Sequence, residues 1–200
     1  MMGKDMVRNP SLFAFCLLLF LSGCIHHDIR FEDIGYSTGE KQYDAGLVAV
    51  ITPQTVGQVV PIKSWATGIA NSWDAHPGEM LRQIADLEFP QMFRYYQSAA
   101  EYRESQQGLS RLTVELSVPY YSFSDFHTTV TVQARTYRAG QVLVFEKAYR
   151  EEGAGQGGKM VGLGAFGMKS AVRQSSFDAY KKVFAKLRAD LLAVLERSPS

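Results

Sequence analysis

The amino-acid sequence predicts an α+β fold in which an antiparallel β-sheet is covered on one face by helices. Three observations indicate this fold. Segments within residues 111–150 alternate between apolar and polar side chains, which is typical of half-buried strands. Residues 177–194 carry apolar side chains at helical spacing, and residues 47–51 form a short apolar run. Because an apolar helical stripe needs a sheet face to cover, these segments predict the order β-α-β-β-β-α.

The composition is that of a globular protein with room for one domain or two small ones. Of its 200 residues, 46% are hydrophobic and 20% are charged, which excludes wholesale disorder. There are 21 Lys and Arg residues against 20 Asp and Glu, so the net charge of +1 gives no support for nucleic-acid binding. The two cysteines, Cys16 and Cys24, are too few for a zinc ribbon or a disulfide scaffold.

Residues 1–23 are predicted to be a signal peptide. Lys4 and Arg8 precede an unbroken apolar run at residues 12–21. At about 1.5 Å per residue, this run covers roughly half of a bilayer core. The run is therefore too short for a stable anchor, and its length and basic flank are typical of a signal peptide.

The end of this segment, Leu-Ser-Gly-Cys at residues 21–24, resembles the bacterial lipobox. The resemblance implies cleavage between Gly23 and Cys24, a diacylglycerol on the Cys24 sulfur, and a further acyl chain such as palmitate on the new N-terminus. The alternative is an ordinary secretory signal that contains a cysteine. Two or three acyl chains anchor a protein stably to a membrane. Since Ile25 is not aspartate, the resemblance implies the outer membrane, facing the periplasm, in a cell with two membranes.

Residues 24–45 are predicted to be the lipidated N-terminus and an irregular tether, and residues 46–200 a single α+β periplasmic domain. The apolar run at residues 47–51 predicts a buried strand. Residues 56–62 predict a second, weaker extended segment.

Residues 77–104 are predicted to form one kinked helix or two helices. Pro77 suits the first position of a helix, and apolar residues recur after it at helical spacing. Pro90 interrupts that pattern. A second set of helical turns is therefore expected after Pro90.

Three strands at residues 112–118, 129–138 and 142–149 are predicted to form an antiparallel meander, because the connections between them are short. Ala139 and Gly140 indicate a tight turn.

The glycine-rich residues 153–167 are predicted to form a loop before a long C-terminal helix. Ser175, with Asp178 three residues later, is typical of a capping box at the start of that helix. The expected buried stripe is Phe177, Tyr180, Phe184, Leu187, Leu191 and Val194.

Three glycine-containing motifs resemble catalytic or nucleotide-binding patterns but lack their structural setting. Residues 35–39 match G-x-S-x-G around Ser37, yet no strand and helix flank them as a nucleophile elbow requires. Residues 153–160 match a Walker A loop except for Met160 at its Ser or Thr position. Residues 162–167 match G-x-G-x-x-G without a βαβ unit. The sequence therefore predicts no nucleotide and no other cofactor.

The histidines give no strong catalytic or metal-binding pattern. Residues 26–28 are His-His-Asp, with no third ligand at a suitable spacing, so no metal is predicted. Ser124, Asp125 and His127 have the residue types of a catalytic triad. Neighbours in one loop rarely make the hydrogen bonds of a triad, which is assembled from distant segments.

Two predicted loops, at residues 120–127 and 153–168, are candidates for partner binding. Clustered aromatic side chains are common at binding surfaces, and apolar side chains among glycines can dock on a partner. Packing over the sheet end is the alternative for the first loop, and a mobile connection is the alternative for the second. The candidate contact residues are Tyr120, Tyr121, Phe123, Phe126, Leu163 and Phe166.

The predicted layout over residues 47–196 resembles the YajG-type lipoproteins and the auxiliary lipoproteins of ABC-type envelope transport systems. The resemblance covers the order of elements and implies a non-enzymatic accessory role with an envelope protein as partner. The first hypothesis is accordingly an interaction subunit held to the membrane through Cys24. The alternative is a periplasmic module that binds lipid or another hydrophobic small molecule between helices and sheet. A third hypothesis is a hydrolase that uses Ser37 or His127.

Overall fold

The α+β prediction is confirmed, but the main sheet is mixed rather than wholly antiparallel. The computed structural model describes residues 25–32, 34, 35, 37, 42–63, 71–101, 111–138 and 141–197, with the backbone alone at Ile25, Asn71, Arg111 and 158–166. In these residues the elements are β1 (Ile25–Ile29), β2 (Tyr43–Val50), α1 (Pro53–Val56), β3 (Val60–Ile62), β4 (Asn71–Ala75), α2 (Pro77–Met92), β5 (Phe93–Ala99), β6 (Arg111–Ser124), β7 (His127–Arg138), β8 (Val142–Glu152) and α3 (Gly157–Glu196).

The larger sheet has five strands in the order β5-β2-β6-β7-β8. The predicted meander is confirmed, because β6, β7 and β8 pair antiparallel. Val48 of β2 aligns with Gln97 on one side and with Thr113 on the other, both in parallel strands. The predicted β-α-β-β-β-α order is therefore correct for the meander and incomplete for the rest of the sheet. The turn predicted at Ala139 and Gly140 lies outside the described residues.

The helix predicted over residues 77–104 ends at Met92, and the chain continues directly as strand β5. Phe93 is buried, and Tyr96 and Ala99 are half-buried, so the inward residues recur every third position as they do in a helix. Pairing with the free side of β2 outweighs that local pattern, since tertiary contacts override weak propensities. The expectation of helix over 93–99 was wrong, and residues 102–104 lie outside the described residues.

A second, three-stranded sheet in the order β1-β4-β3 includes part of the predicted tether. β1 pairs in parallel with β4 from Ile25 to Ile29, so this segment is not irregular. The side chain of Ile29 is fully buried. The extended segment predicted at residues 56–62 is also corrected, because it begins with the end of α1 and only its last three residues form a strand.

Helices α2 and α3 pack on one face of the larger sheet and enclose the core, as predicted. The rings of Phe89 in α2 and Phe184 in α3 lie 5.4 Å apart between their centroids. The hydroxyl of Tyr180 donates to the carbonyl oxygen of Pro77 at 2.7 Å, which satisfies the one polar atom of that buried side chain. Of the predicted stripe, Phe177 is half-buried and the other residues are buried: Tyr180, Phe184, Leu187, Leu191 and Val194.

Helix α3 begins at Gly157, eighteen residues before the predicted cap at Ser175. Ser175 is fully buried in mid-helix, where its hydroxyl accepts a hydrogen bond from the backbone N–H of Thr128 at 2.8 Å. The Asp178 carboxylate accepts from the N–H of Ala154 at 2.8 Å. The two residues of the expected capping box therefore bind neighbouring strand and loop backbone. The prediction of a loop over residues 157–167 was wrong.

An ion-pair cluster ties the segment after β1 to α3. The carboxylate of Glu32 lies 2.7 Å from the Lys169 ammonium and 2.7 Å from the Arg173 guanidinium. The hydrogen bond from Lys169 is the main cause that lowers the pKa of Glu32 below its usual value of 4.5. This cluster is exposed, so its contribution to stability is modest and screened by salt.

The stability that Glu32 contributes at neutral pH should therefore be lost at acid pH. A carboxyl group whose pKa is lower in the folded state stabilises the fold above its unfolded pKa, and the stabilisation is lost as the pH falls through the folded pKa. We expect Glu32→Gln to unfold at a lower urea concentration than the wild type at pH 7, with the difference shrinking towards pH 3. Urea titrations across that range test this, and a difference that does not change with pH would contradict it.

Candidate functional site

The tip of the β6–β7 hairpin places one aromatic ring at the surface. Asp125 and Phe126 join the strands, with φ values of 49° and 65°. Two successive residues with positive φ are characteristic of a type I′ turn, which favours Asn or Gly. For Phe126 this conformation costs about 1–2 kcal/mol. Phe126 is 36% exposed, so a strained backbone position holds a large apolar residue at the tip.

The predicted aromatic loop at residues 120–127 is mostly strand, and its four aromatic side chains have different environments. Tyr121 is buried; its hydroxyl lies 2.7 Å from the Ser176 hydroxyl, and burial raises its pKa to about 12. Phe123 is half-buried against the core. Tyr120 points to the other face of the sheet, is 43% exposed, and has the Arg150 guanidinium 4.9 Å from its ring centroid. Packing within the fold, which was the alternative to partner binding, therefore applies to Tyr121 and Phe123. Tyr120 and Phe126 remain accessible.

The first part of the glycine-rich segment lies against this hairpin. The N–H of Gly153 donates to the carbonyl oxygen of Thr128 at 2.8 Å, and the N–H of Gln156 donates to that of Phe126 at 3.1 Å. A Cβ atom at Gly157 would be 3.4 Å from the Phe126 ring. The structure therefore brings together parts of the two segments that the sequence singled out. We call Asp125, Phe126, His127 and residues 153–157 the hairpin–glycine surface.

Two glycines allow this close approach. A Cβ atom at Gly153 would lie 1.8 Å from the backbone oxygen of Ser175 in α3. A Cβ atom at Gly155 would lie 2.8 Å from Nε2 of His127. Any larger residue at Gly153 would push the segment away from α3, because the obstructing atoms belong to the helix backbone.

Buried hydroxyl groups fix the hairpin on α3 beneath this surface. The Thr128 and Ser176 hydroxyls lie 3.1 Å apart, and the Ser176 hydroxyl donates to the carbonyl oxygen of Val172 at 2.6 Å. Thr128, Ser175 and Ser176 are all buried. Because unpaired buried polar groups are costly, this network favours one position of the hairpin on the helix.

The remaining glycine-rich residues form the first turns of α3. The backbone of residues 158–166 is helical, and the side chains of Leu163 and Phe166 lie outside the described residues. Met168 is buried in the core, so the C-terminal end of the predicted docking loop belongs to the fold. Deleting residues 153–168 would therefore damage the domain, and point substitutions are the appropriate test of this surface.

The candidate catalytic residues lie in two places, with Ser124, Asp125 and His127 at the hairpin tip and Ser37 in the connection between β1 and β2. Nδ1 of His127 lies 2.6 Å from the backbone carbonyl oxygen of Asp125, which orients its ring. Ser37 is exposed, but its neighbours Tyr36 and Thr38 lie outside the described residues. His26 lies 3.0 Å from Asp74 in an ion-pair cluster on β1 and β4. Among the residues with described positions, no group of three or more His, Cys, Asp or Glu side chains is arranged to hold a metal ion.

An open cavity of about 460 Å³ lies at the carboxyl ends of β2 and β5. Its lining combines the polar or charged residues Thr52, Thr55, Glu101, Glu115 and Arg135 with apolar ones that include Val50, Ala100 and Leu116. Within the described part of the chain, no helix is both long enough and apolar enough to cross a bilayer.

Some features of this surface were missed in the sequence, although partial signals were present. The alternating runs at residues 112–118 and 129–138 are separated by ten residues, so the extension of both strands to a two-residue turn was missed. The partial signal is Asp125, because aspartate tolerates positive φ. No sequence signal indicates the contact of Gly155 with His127 or of Arg150 with Tyr120, because both join residues that are distant in the chain.

No family model matches the chain, and no curated protein matches it either. Among solved structures, the fold is similar to that of a Xanthomonas campestris protein described by the family model DUF330. The TM-score is 0.44 with 7% identity, over 83% of this chain and 99% of the other. A second crystal structure, described as an uncharacterized protein, has a TM-score of 0.39 with 12% identity, over 81% of this chain and 97% of the other.

Proposed function

We propose that this chain is a membrane-anchored envelope lipoprotein that acts as a non-enzymatic accessory or interaction subunit of an envelope assembly or transport system. The resemblance of residues 21–24 to the lipobox supports anchoring through Cys24, and the outer membrane facing the periplasm is the proposed location in a cell with two membranes. The partner is an envelope protein that contacts the hairpin–glycine surface.

The observation that carries this proposal is the exposed ring of Phe126, held in place by a strained turn and by backbone bonds to the glycine-rich segment. A ring fixed in this way loses little conformational entropy when a partner covers it. Ala154 and Gly155 beside it are exposed, so a partner can reach this segment as well as the ring. Aromatic residues, phenylalanine included, are enriched at protein–protein interfaces.

Phe126→Asn tests the surface without disturbing the turn. Asparagine favours positive φ, so we expect the hairpin to be at least as stable as in the wild type while the ring is lost. Affinity purification of full-length lipidated protein from detergent-solubilised envelopes should recover an envelope protein in near-stoichiometric amount. We expect the Phe126→Asn variant to lose that protein.

Leu143→Thr is the matched control, because Leu143 is exposed at the opposite end of the β7–β8 pair. It removes a similar apolar side chain and should leave recovery unchanged. Equal recovery by wild type and Phe126→Asn would exclude the hairpin–glycine surface as the contact. A wild-type purification without any partner would contradict the accessory role and direct attention to bound small molecules, which lipid extraction would identify.

A further inference from the structure

The first strand of the fold begins at the residue after the predicted lipidation site. β1 starts at Ile25, which aligns with Asn71 of β4. Consecutive Cα atoms are about 3.8 Å apart, so no spacer separates the predicted lipidation site from the first residue of this sheet. The tether expected from the sequence is thus replaced, over residues 25–29, by a strand of the folded domain.

Side-chain contacts hold β1 in the fold along its length. Near its start, Nδ1 of His26 lies 2.8 Å from the Ser72 hydroxyl. The ring of His27 stacks on Trp73 with 4.2 Å between centroids and 14° between planes. Trp73 itself is buried, so this stack attaches β1 to the core.

The end of β1 is attached as well. The backbone N–H of His76 donates to the carbonyl oxygen of Ile29 at 3.2 Å, and the side chain of His76 lies 2.9 Å from the Asp28 carboxylate. Ile29 and Phe31 are buried in the core. Releasing this segment to act as a tether would expose both apolar side chains and break the pairing with β4.

We propose that the lipidated protein lies directly on the membrane, with the Ile25–Asn71 end of the three-stranded sheet against the lipid headgroups. This inference rests on the proposed lipidation of Cys24 and deepens it, because it assigns the lipid surface as a direct contact of the folded domain. A chain with a long flexible tether would let the domain move away from the bilayer, whereas this chain has no residue free for that purpose between Cys24 and β1.

The charges near this end are compatible with a phospholipid surface. The carboxylates of Asp28 and Asp74 lie towards the other end of the β1–β4 pair, where they face His76 and His26 at 2.9 and 3.0 Å. Lys63, at the exposed end of β3, follows the Ile62–Trp73 pair and therefore lies at the same end of the sheet as Ile25. A cation here favours anionic headgroups.

The contact of this end of the sheet with lipid is tested with a fluorophore attached at Lys63→Cys, whose quenching by labelled lipid headgroups is measured. The full-length lipidated protein is reconstituted into vesicles of zwitterionic and anionic phospholipid that carry a nitroxide on the headgroup. We expect strong quenching at position 63 and weaker quenching at the control Val59→Cys. Val59 is exposed, and it lies about 13 Å from Lys63 along the strand direction.

A second protein with ten Gly and Ser residues inserted between Cys24 and Ile25 supplies the matched comparison. This insertion has a root-mean-square span of about 17–19 Å, so quenching at position 63 should be largely lost. Equal quenching with and without the insertion, or equal quenching at positions 59 and 63, would overturn the proposal. The intact mass is measured in every case. A mature protein without acyl chains would overturn the lipidation as well, whereas an acylated protein without quenching would overturn the direct contact alone.

Discussion

Replacing Cys24 by alanine is expected to reduce the incorporation of a labelled fatty acid to background. The predicted thioether forms only at this sulfur, and cleavage before residue 24 depends on the modified cysteine in the lipobox that the sequence resembles. In-gel detection of the label, together with the mass of the purified product, measures both events. We expect the variant to retain a longer N-terminus and to carry no acyl chain.

Cys16→Ala is the matched control, because it removes the other cysteine and leaves residues 21–24 unchanged. It should be labelled and processed like the wild type. Persistent labelling of Cys24→Ala would refute lipidation at this position, and unlabelled wild-type protein of the mass expected for an ordinary secretory cleavage would favour the alternative signal peptide.

Replacing Gly153 by alanine is expected to lower the free energy of unfolding by about 2–3 kcal/mol. The added Cβ would lie 1.8 Å from the backbone oxygen of Ser175, so either the glycine segment or helix α3 must move. Such a movement also weakens the bond from the Gly153 N–H to Thr128. Urea unfolding of the detergent-solubilised protein, followed by far-UV circular dichroism, measures the loss.

Gly35→Ala is the control for this substitution, since nothing lies within 4 Å of a Cβ atom at Gly35. It should change the unfolding free energy by less than about 0.5 kcal/mol. If both variants are as stable as the wild type, the close approach of the segment to α3 is not needed for the fold. If Gly153→Ala is destabilised but recovers the envelope partner in full, the segment has a structural role apart from the proposed contact.

Two parts of the fold could be predicted because their signals are local. The meander follows from alternating side chains in segments joined by short connections, and each strand has its partner nearby in the chain. The C-terminal helix follows from an apolar stripe that the core then buries. In both cases the apolar positions of the sequence pattern are the positions that the structure buries.

The errors have a common physical origin in pairing between distant segments. Strand β5 has inward residues at a spacing that also fits a helix, and its parallel partner β2 is about fifty residues away. β1 is polar and short, and its stability comes from β4 and from Trp73. Ser175 has the residue type of a cap, but its hydroxyl binds the backbone of Thr128. None of these partners is visible in a local window of sequence.

For the hairpin–glycine surface too, some features could be predicted from the sequence and others required the tertiary structure. Four aromatic residues and a glycine-rich segment could be selected from the sequence, because aromatic clusters and glycine runs are visible without a structure. The tertiary structure separated the buried Tyr121 from the exposed Phe126 and placed Phe126 against Gly157. Burial depends on what lies opposite each strand face, which residue type alone does not specify.

The sequence by itself determined the α+β class, the antiparallel meander, the apolar face of the C-terminal helix and the prediction of lipidation at Cys24. The tertiary structure decided that the sheet is mixed, that α3 begins at Gly157, and that β1 follows Cys24 without a tether. The first group depends on periodicity and on short motifs, which a chain carries locally. The second depends on strand partners and backbone contacts between distant residues, whose free energy arises only when the chain has folded.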